Sequence, residues 1–422
     1  MNADEDLAGR ESARRGFGRI AAGTALGQVA TFIALPFLSR FYSAEQFGIL
    51  AVSLAVVAAV APIVLLGFDH AMLVPKKNGD LGPLITCAAI SVVLACCGVA
   101  IFVLVAPDAV APPAALRGAM TWALPTLLLT TCAGMLFTQL AVRAGKYSGI
   151  GTRNSVQSIA ISVAQLLFAP LSRGNGFNGL VVGATLGSTV GAALLLPRAR
   201  PYFRRVSPRE CFSAMRRYWR FPALFAPLNS LSLASQQAPI FFTALWFGAA
   251  ESGQVGMAER LVAIPLALVG LATSSVFSGE YAFAVRQNVR EKRKIYLRAS
   301  VRLGIIGLAI LAAIAGLAQY AIPFVLGDGW QNAAQIAQVM ALVAATRLVC
   351  NPLRGVFRLL SKGLLLTLLD TSRVIAIALA LAATWWYELD LIGSLTAIYA
   401  VMAGSDIVAW FAGFVVSHRE DR

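Results

Sequence analysis

The chain has 422 residues, of which 58% are hydrophobic and only 13% charged. A soluble domain carries about 25% charged residues, so an ordinary water-soluble globule is excluded. The formal charge of +15 falls almost entirely in alternate gaps between long apolar segments, which makes it a membrane-insertion signature and not a nucleic-acid footprint.

A helix that crosses a bilayer needs roughly twenty mostly apolar residues. Twelve such segments follow one another: 16–39, 46–67, 82–106, 118–142, 153–171, 178–197, 221–247, 254–279, 299–319, 331–353, 363–385 and 391–416. The ten-residue alternation of a membrane β-barrel is absent. Arg10, Arg14, Arg15 and Arg19 precede the first segment, and Lys76 and Lys77 follow the second. Arg143, Lys146 and Arg153 follow the fourth, and a run from Arg198 to Arg220 follows the sixth. A run from Arg286 to Arg302 follows the eighth, Arg354, Arg358 and Lys362 follow the tenth, and Arg419 and Arg422 come after the twelfth. The other gaps hold Arg40, Arg117 and Arg173 among the acids Glu45, Asp108, Glu251, Asp328, Glu388 and Asp390. By the positive-inside rule the first set is cytoplasmic, as are both termini, and the span number is even. Trp122, Trp246, Trp330, Trp385 and Trp386 fall at outer ends and Trp219 at an inner end, as interfacial aromatics do. The first segment is too long for a signal h-region and follows Asp4, Glu5 and Asp6, so it reads as a retained span. The six cysteines are scattered, without metal-ligand spacing, and read as small core residues.

The expected fold class is therefore an all-α membrane protein of about twelve transmembrane helices in two six-helix bundles. The bundles are predicted over 1–197 and 221–422, joined by a cytoplasmic basic linker over 198–220. Within the linker, Ser207-Pro208-Arg209-Glu210 has the pattern of a helix start: an N-cap serine, proline in the first turn and glutamate three residues on. Phe212, Met215 and Trp219 then recur at near-helical spacing among Arg209, Arg216, Arg217 and Arg220, as in an amphipathic helix on a membrane surface. A moving tether and an ordinary positive-inside loop both fit. The halves also read as repeats. The turn Arg40-Phe41-Tyr42-Ser43-Ala44-Glu45-Gln46-Phe47-Gly48 after the first span matches in kind Trp246-Phe247-Gly248-Ala249-Ala250-Glu251-Ser252-Gly253 after the seventh. Parallel repeats of this kind are a transporter architecture.

Catalytic chemistry is poorly provided for. The two histidines, His70 and His418, sit at cytoplasmic edges, and the outer gaps are too short to hold a catalytic loop, so the chain reads as a non-enzyme. The informative residues are charges inside spans: Glu259 and Arg260 in the eighth, Arg347 in the tenth, Asp370 and Arg373 in the eleventh, and Asp406 in the twelfth. Each Arg or Asp at a helix centre costs about 2.5–3.5 kcal/mol on insertion scales, so these groups face one another or a cavity. Internal pairs, Asp370 with Arg373 and Glu259 with Arg260, are one reading; Arg260 can also snorkel outward. Arg347 has no acid within a helical turn and is the strongest site candidate. The first half offers uncharged Gln28, Gln139, Gln157 and Gln165, whose default role is hydrogen bonding between helices.

The stretch Leu35-Pro36-Phe37-Leu38-Ser39-Arg40-Phe41-Tyr42-Ser43-Ala44-Glu45-Gln46-Phe47-Gly48, with Gly23-Thr24-Ala25-Leu26-Gly27-Gln28 before it, resembles the opening of bacterial Wzx-like polysaccharide flippases of the MATE-related superfamily. Gly67-Phe68-Asp69-His70-Ala71-Met72-Leu73-Val74-Pro75, Gly256-Met257-Ala258-Glu259-Arg260-Leu261-Val262-Ala263-Ile264-Pro265 and Phe324-Val325-Leu326-Gly327-Asp328-Gly329-Trp330 are similar in order and spacing, although Asp69-His70 departs from the pattern. The resemblance implies a MATE-like two-lobed bundle in the bacterial inner membrane. It implies translocation of polyprenyl-pyrophosphate-linked oligosaccharide from the cytoplasmic to the periplasmic leaflet, for O-antigen or exopolysaccharide assembly beside glycosyltransferases and a polymerase. On that reading Arg347, Arg373 and Arg260 hold the pyrophosphate, arginine matching it in charge and fork geometry. Asp370, Asp406 and Glu259 are the candidates for coupling to a proton or sodium gradient, and no cofactor or nucleic acid is expected. The alternative is a MATE-type multidrug or cation antiporter, which needs an acidic cavity.

Overall fold

The computed structural model describes residues 3–75, 78–105, 114–172, 177–203, 206–287, 291–360 and 362–421. Lys76, Lys77, Asp108, Arg173, Arg204, Arg205, Arg290 and Arg422 therefore lie outside the described residues. Among the described residues there is no strand. The helices, in chain order, are α1 (Ala3–Phe41), α2 (Ala44–Val64), α3 (Phe68–Ala71), α4 (Leu81–Val105), α5 (Ala114–Arg143), α6 (Tyr147–Leu167), α7 (Gly179–Ala199) and α8 (Pro208–Arg217). They continue with α9 (Ala226–Gln236), α10 (Ala238–Trp246), α11 (Ala249–Arg286), α12 (Lys292–Leu326), α13 (Gln331–Leu353), α14 (Gly355–Leu359), α15 (Gly363–Trp386) and α16 (Leu391–Arg419). The chain is thus an all-α membrane protein.

All twelve expected segments are helical, and nine helices among the described residues are long and apolar enough to span a bilayer. The other three segments differ for visible reasons. α6 carries Asn154, Gln157 and Gln165 along its length. The segment 221–247 breaks into a π-turn at Phe221–Phe225, then α9 and α10, with Pro222, Pro227 and Pro239 each removing a backbone donor. α11 holds Glu251, Glu259, Arg260 and Glu280. Chain contacts divide the molecule into two compact units, Met1–Ala234 and Ser235–Arg422.

The first unit is built on small residues and neutral hydrogen bonds. α6 packs on both α1 and α7. A side chain added at Gly23 would lie 2.7 Å from Cα of Gly151, so the two glycines let α1 and α6 touch backbone to backbone. On α7, Gly183, Gly187 and Gly191 recur every four residues, and Cβ atoms there would lie 2.8 Å from the backbone N of Gln165, 2.7 Å from that of Ile161 and 2.5 Å from Gln157 Oε1. This is the small-residue close approach that stands in for hydrophobic drive between helices in lipid. The polar groups then bridge helices. Tyr42 donates to the Gln165 carbonyl at 2.6 Å, Gln165 Nε2 to the Leu180 carbonyl at 2.9 Å, and Asn154 Nδ2 to Thr24 Oγ1 at 2.9 Å. α2 starts at a capping box between Ser43 and Gln46, and α3 is entered through Gly67 at φ +64°, a conformation glycine adopts without strain. α3 buries Asp69, whose Oδ2 lies 2.8 Å from His70 Nδ1.

Arg153 is displaced from its expected place. It sits in the second turn of α6, half-buried, and donates from Nη1 to Asn154 Oδ1 at 3.2 Å. Helix α6 starts earlier than the apolar run, because its first turns are polar residues packed against α1.

In the second unit α13 is the central helix, packed against α11, α12 and α16, with α15 on α16. Three aromatic and two aliphatic residues fill one part of this bundle: Phe277, Tyr281, Tyr296, Leu353 and Val356 form one buried cluster. Its hydroxyls are used, Tyr281 with Ser417 at 2.8 Å and Tyr296 to the Trp410 carbonyl at 2.8 Å. The first turn of α12 is capped from far along the chain. Asp421 accepts from the backbone N–H groups of Lys292 at 3.0 Å and Arg293 at 2.8 Å, which are among the unpaired donors at a helix N-terminus. Lys292 Nζ donates to the Glu420 carbonyl at 2.8 Å. Leu364, Leu379, Leu308 and Phe324 are exposed along α12 and α15, as befits faces covered by lipid. Trp122, Trp246, Trp385 and Trp386 are exposed too, but Trp330 is buried at 3% exposure, so it packs into its own unit.

A buried charge cluster in the second unit

Helical spacing sets up the cluster. Arg347, Cys350 and Arg354 lie on one face of α13 and its C-cap, at steps of three and four. Tyr399, Met402 and Asp406 lie in the same way on one face of α16 and are all buried. α15 presents Asp370 and Arg373, and α11 presents Glu259. Because α13 touches both α11 and α16, these four helices bring three arginines and three carboxylates together.

The pairing differs from the one the eleventh segment alone predicts. Asp370 pairs with Arg354 of α13's C-cap, and Arg373 pairs with Asp406 of α16, Nη1 to Oδ1 at 3.6 Å. Two charges three apart on a helix are neighbours, yet a partner on a packed helix wins here because Arg373 is 5% and Asp406 2% exposed. At 3.6 Å the Arg373–Asp406 contact is too long for a hydrogen bond and acts through charge alone. Cys350 donates its thiol to the Asp406 carbonyl at 3.1 Å, which ties α13 to α16 at that level.

Arg347 is half-buried and reaches Met402 Sδ with Nη2 at 3.8 Å. Its charge acts on Glu259 and Tyr399 and also on Arg373 and Asp406. The acids near Arg347 stand on other helices, Glu259 on α11 and Asp406 on α16. Arg260 stands beside Glu259, half-buried, and takes part in neither the Arg354–Asp370 nor the Arg373–Asp406 pair.

Several polar atoms of the cluster are buried without a hydrogen-bond partner: Arg373 Nε and Nη2, Asp406 Oδ2 and the Tyr399 hydroxyl. Such orphans are rare in folded proteins, since each costs about 1–3 kcal/mol, more for charged groups. Two unused guanidinium donors on a fork are the donor set that a planar or tetrahedral oxyanion accepts from. Beside the cluster, α12, α13 and α16 leave an apolar cleft of about 230 Å³ lined by Gly304, Gly307, Ala345, Val349, Ile407 and Trp410. Among the described residues no group of three or more His, Cys, Asp or Glu could hold a metal ion.

Reading the sequence missed Arg354, Tyr399 and Met402. The signal for Arg354 was its seven-residue step from Arg347; for Tyr399 and Met402 it was their register with Asp406.

The fold and its buried charges define a many-spanning helical membrane protein that holds ionised groups between its helices, where such groups mark functional sites. The sequence profile described as polysaccharide biosynthesis protein matches residues 37–335, and the chain belongs to that family. Solved structures share its fold at low identity. Lipid II flippase MurJ in an inward closed conformation superposes with a TM-score of 0.66 at 11% identity, over 98% of this chain and 89% of that one. An inward-facing multidrug resistance MATE family transporter of the MOP superfamily gives 0.62 at 14% identity, over 93% and 94%. A MOP superfamily transporter from Pyrococcus furiosus, described for the reverse polarity of its binding pocket, gives 0.59 at 15% identity, over 97% and 96%. No curated protein matches the sequence.

Proposed function

We propose that the chain moves polyprenyl-pyrophosphate-linked oligosaccharide repeat units from the cytoplasmic to the periplasmic leaflet of the bacterial inner membrane by alternating access, for O-antigen or exopolysaccharide assembly. Both termini lie on the cytoplasmic side, where the basic gaps put them. The single observation that carries the substrate reading is the Arg347–Arg354–Arg373 array with two Arg373 donors unused. A pyrophosphate is at least a dianion, and a water-poor site with preset arginine forks binds it far better than it binds a neutral sugar. Arg347 and Arg373 hold the diphosphate, and Arg260 contributes on the outward side. Asp370, Asp406 and Glu259 balance these charges while the site is empty and couple the cycle to a proton or sodium gradient. Substrate then competes with the carboxylates for the same guanidinium groups, so binding and release are linked to breaking and remaking ion pairs. Glycosyltransferases and a polymerase act before and after the transported lipid, and genes for them beside this one would support the reading.

Charge reversal at Arg347 (R347E) tests it. Surface polysaccharide is expected to disappear while the amount of protein in the membrane stays unchanged. Full polysaccharide in that variant sinks the assignment.

A second reading, cation export, is favoured by the three carboxylates of the cluster and by the multidrug transporters that share the fold. Uptake of a cationic dye by vesicles carrying the protein separates the two. The Pyrococcus furiosus transporter noted for its pocket polarity is a precedent for this fold with a pocket of reversed sign.

A further inference from the structure

Helix α8 and the turn that follows it, 218–220, take no part in the charge cluster, and their surface divides into three stripes. One is buried: Ala214 is 7% and Tyr218 8% exposed, with Cys211 half-buried beside them. It docks on the start of α4. Tyr218 donates its hydroxyl to Asp80 Oδ2 at 3.0 Å, Arg217 Nη1 donates to the same oxygen at 3.0 Å, and Cys87 Sγ faces the Cys211 carbonyl at 3.8 Å. Burial and the Asp80 carboxylate push the Tyr218 phenol above its ordinary pKa, so it stays a donor at neutral pH.

The second stripe, about a quarter-turn away, is apolar and uncovered: Phe212 is 70%, Met215 43% and Trp219 52% exposed. The third stripe, a further quarter-turn on, is Arg209, Arg216 and Arg220, all exposed. A helix with one docked face would normally turn only polar residues outward.

The height of α8 fixes what covers the apolar stripe. In α4, Leu81, Leu84, Ile85, Cys87 and Ala88 are buried, and exposure begins at Ala89 and Ile90 and continues through Val93 and Leu94. α8 therefore docks over the first two turns of a spanning helix, and the lipid-facing surface of α4 starts just below it. At that depth an apolar stripe meets the upper acyl chains, and a neighbouring arginine stripe meets headgroups.

We propose that α8 is a binding surface for anionic phospholipid headgroups, with Phe212, Met215 and Trp219 in the acyl boundary and Arg209, Arg216 and Arg220 on the phosphates. A basic residue near an anionic surface is worth about a fivefold preference each, so three act together strongly. The inference is independent of the transported substrate.

Hydrogen exchange of the full chain in nanodiscs tests it, read on the amides of 207–220. Moving from pure phosphatidylcholine to one-quarter phosphatidylglycerol is expected to slow exchange there by about tenfold or more, and raising salt should reverse the effect. R209Q/R216Q/R220Q should exchange at the same rate in both lipids. Equal rates for the unaltered chain in the two lipids would overturn the proposal. So would slowing that appears only when a soluble protein is added, which would make the stripe a protein-docking surface. The salt titration uses the unaltered chain, so it decides the matter even if the triple variant folds poorly.

Discussion

The two units solve the same problem, polar groups in a bilayer, in opposite ways. The first joins its helices mainly through neutral groups: glutamine, asparagine, serine and tyrosine bridge α1, α2, α6 and α7, Asp69 and Arg153 are its inward charges, and glycines let the backbones close on one another. The second gathers three arginines and three carboxylates on four helices and leaves several of their atoms unbonded. Neutral bridges add rigidity at little desolvation cost, whereas buried ion pairs add little net stability. The proposed function gives a reason to keep a charged interior that adds so little stability. Under the proposed function the first unit is the scaffold and the second carries the substrate site.

The sharpest way to break that contrast is to unbalance the second unit. D406N leaves Arg373 buried beside a neutral partner, and a loss of about 3–5 kcal/mol is expected, read as a lower melting temperature of the solubilised protein. The double variant R373M/D406L should regain most of that stability but not transport. If D406N melts like the unaltered chain, the pair is not the charge-compensated element described here.

Smaller effects probe the neutral side. G187L on α7 pushes a branched side chain into the Ile161 backbone, and overpacking of this kind costs about 1–3 kcal/mol. Membrane yield and melting temperature should both fall, and the same change at Gly304, which has nothing within 4 Å, should leave both nearly unchanged. Tyr42→Phe removes one interhelical hydrogen bond and should cost about 1 kcal/mol, with transport retained; lost transport would show that the first unit does more than hold shape. The smallest effect concerns pH. Because the Tyr218 phenol is raised in the folded protein, its contribution to docking α8 is complete below the unfolded value of about 10 and fades as pH rises through the folded value. Exchange of 207–220 should accelerate only in that alkaline range, and Y218F should lose the pH dependence.

Much of this was legible in the sequence. The apolar runs and their basic gaps gave the helices, because length and hydropathy are local properties. The helix start at Ser207 was readable for the same reason: its capping box closes within four residues. The intramembrane charges were visible as anomalies, but their pairings were not. Asp370 is three residues from Arg373 yet bonds to Arg354, because α13 packs closer to it than its own next turn reaches. Arg354 itself was counted with the basic gap after the tenth segment, since a charge tally cannot distinguish an arginine facing water from one turned inward. The four-residue glycine step on α7 was present in the sequence all along, but spacing alone does not name the helix that fills the groove.

The Asp421 cap on α12 has a bearing on biogenesis. Its partner Lys292 lies 129 residues upstream, so α12 is synthesised and threaded into the bilayer well before the carboxylate that closes its first turn has left the ribosome. Until then that turn presents bare N–H groups and a cluster of like charges from Lys292, Arg293 and Lys294. The second unit therefore seals only after α16 has been placed, and a stalled or clipped product ending within α16 is expected to leave α12 frayed at its start and open to membrane quality-control proteases.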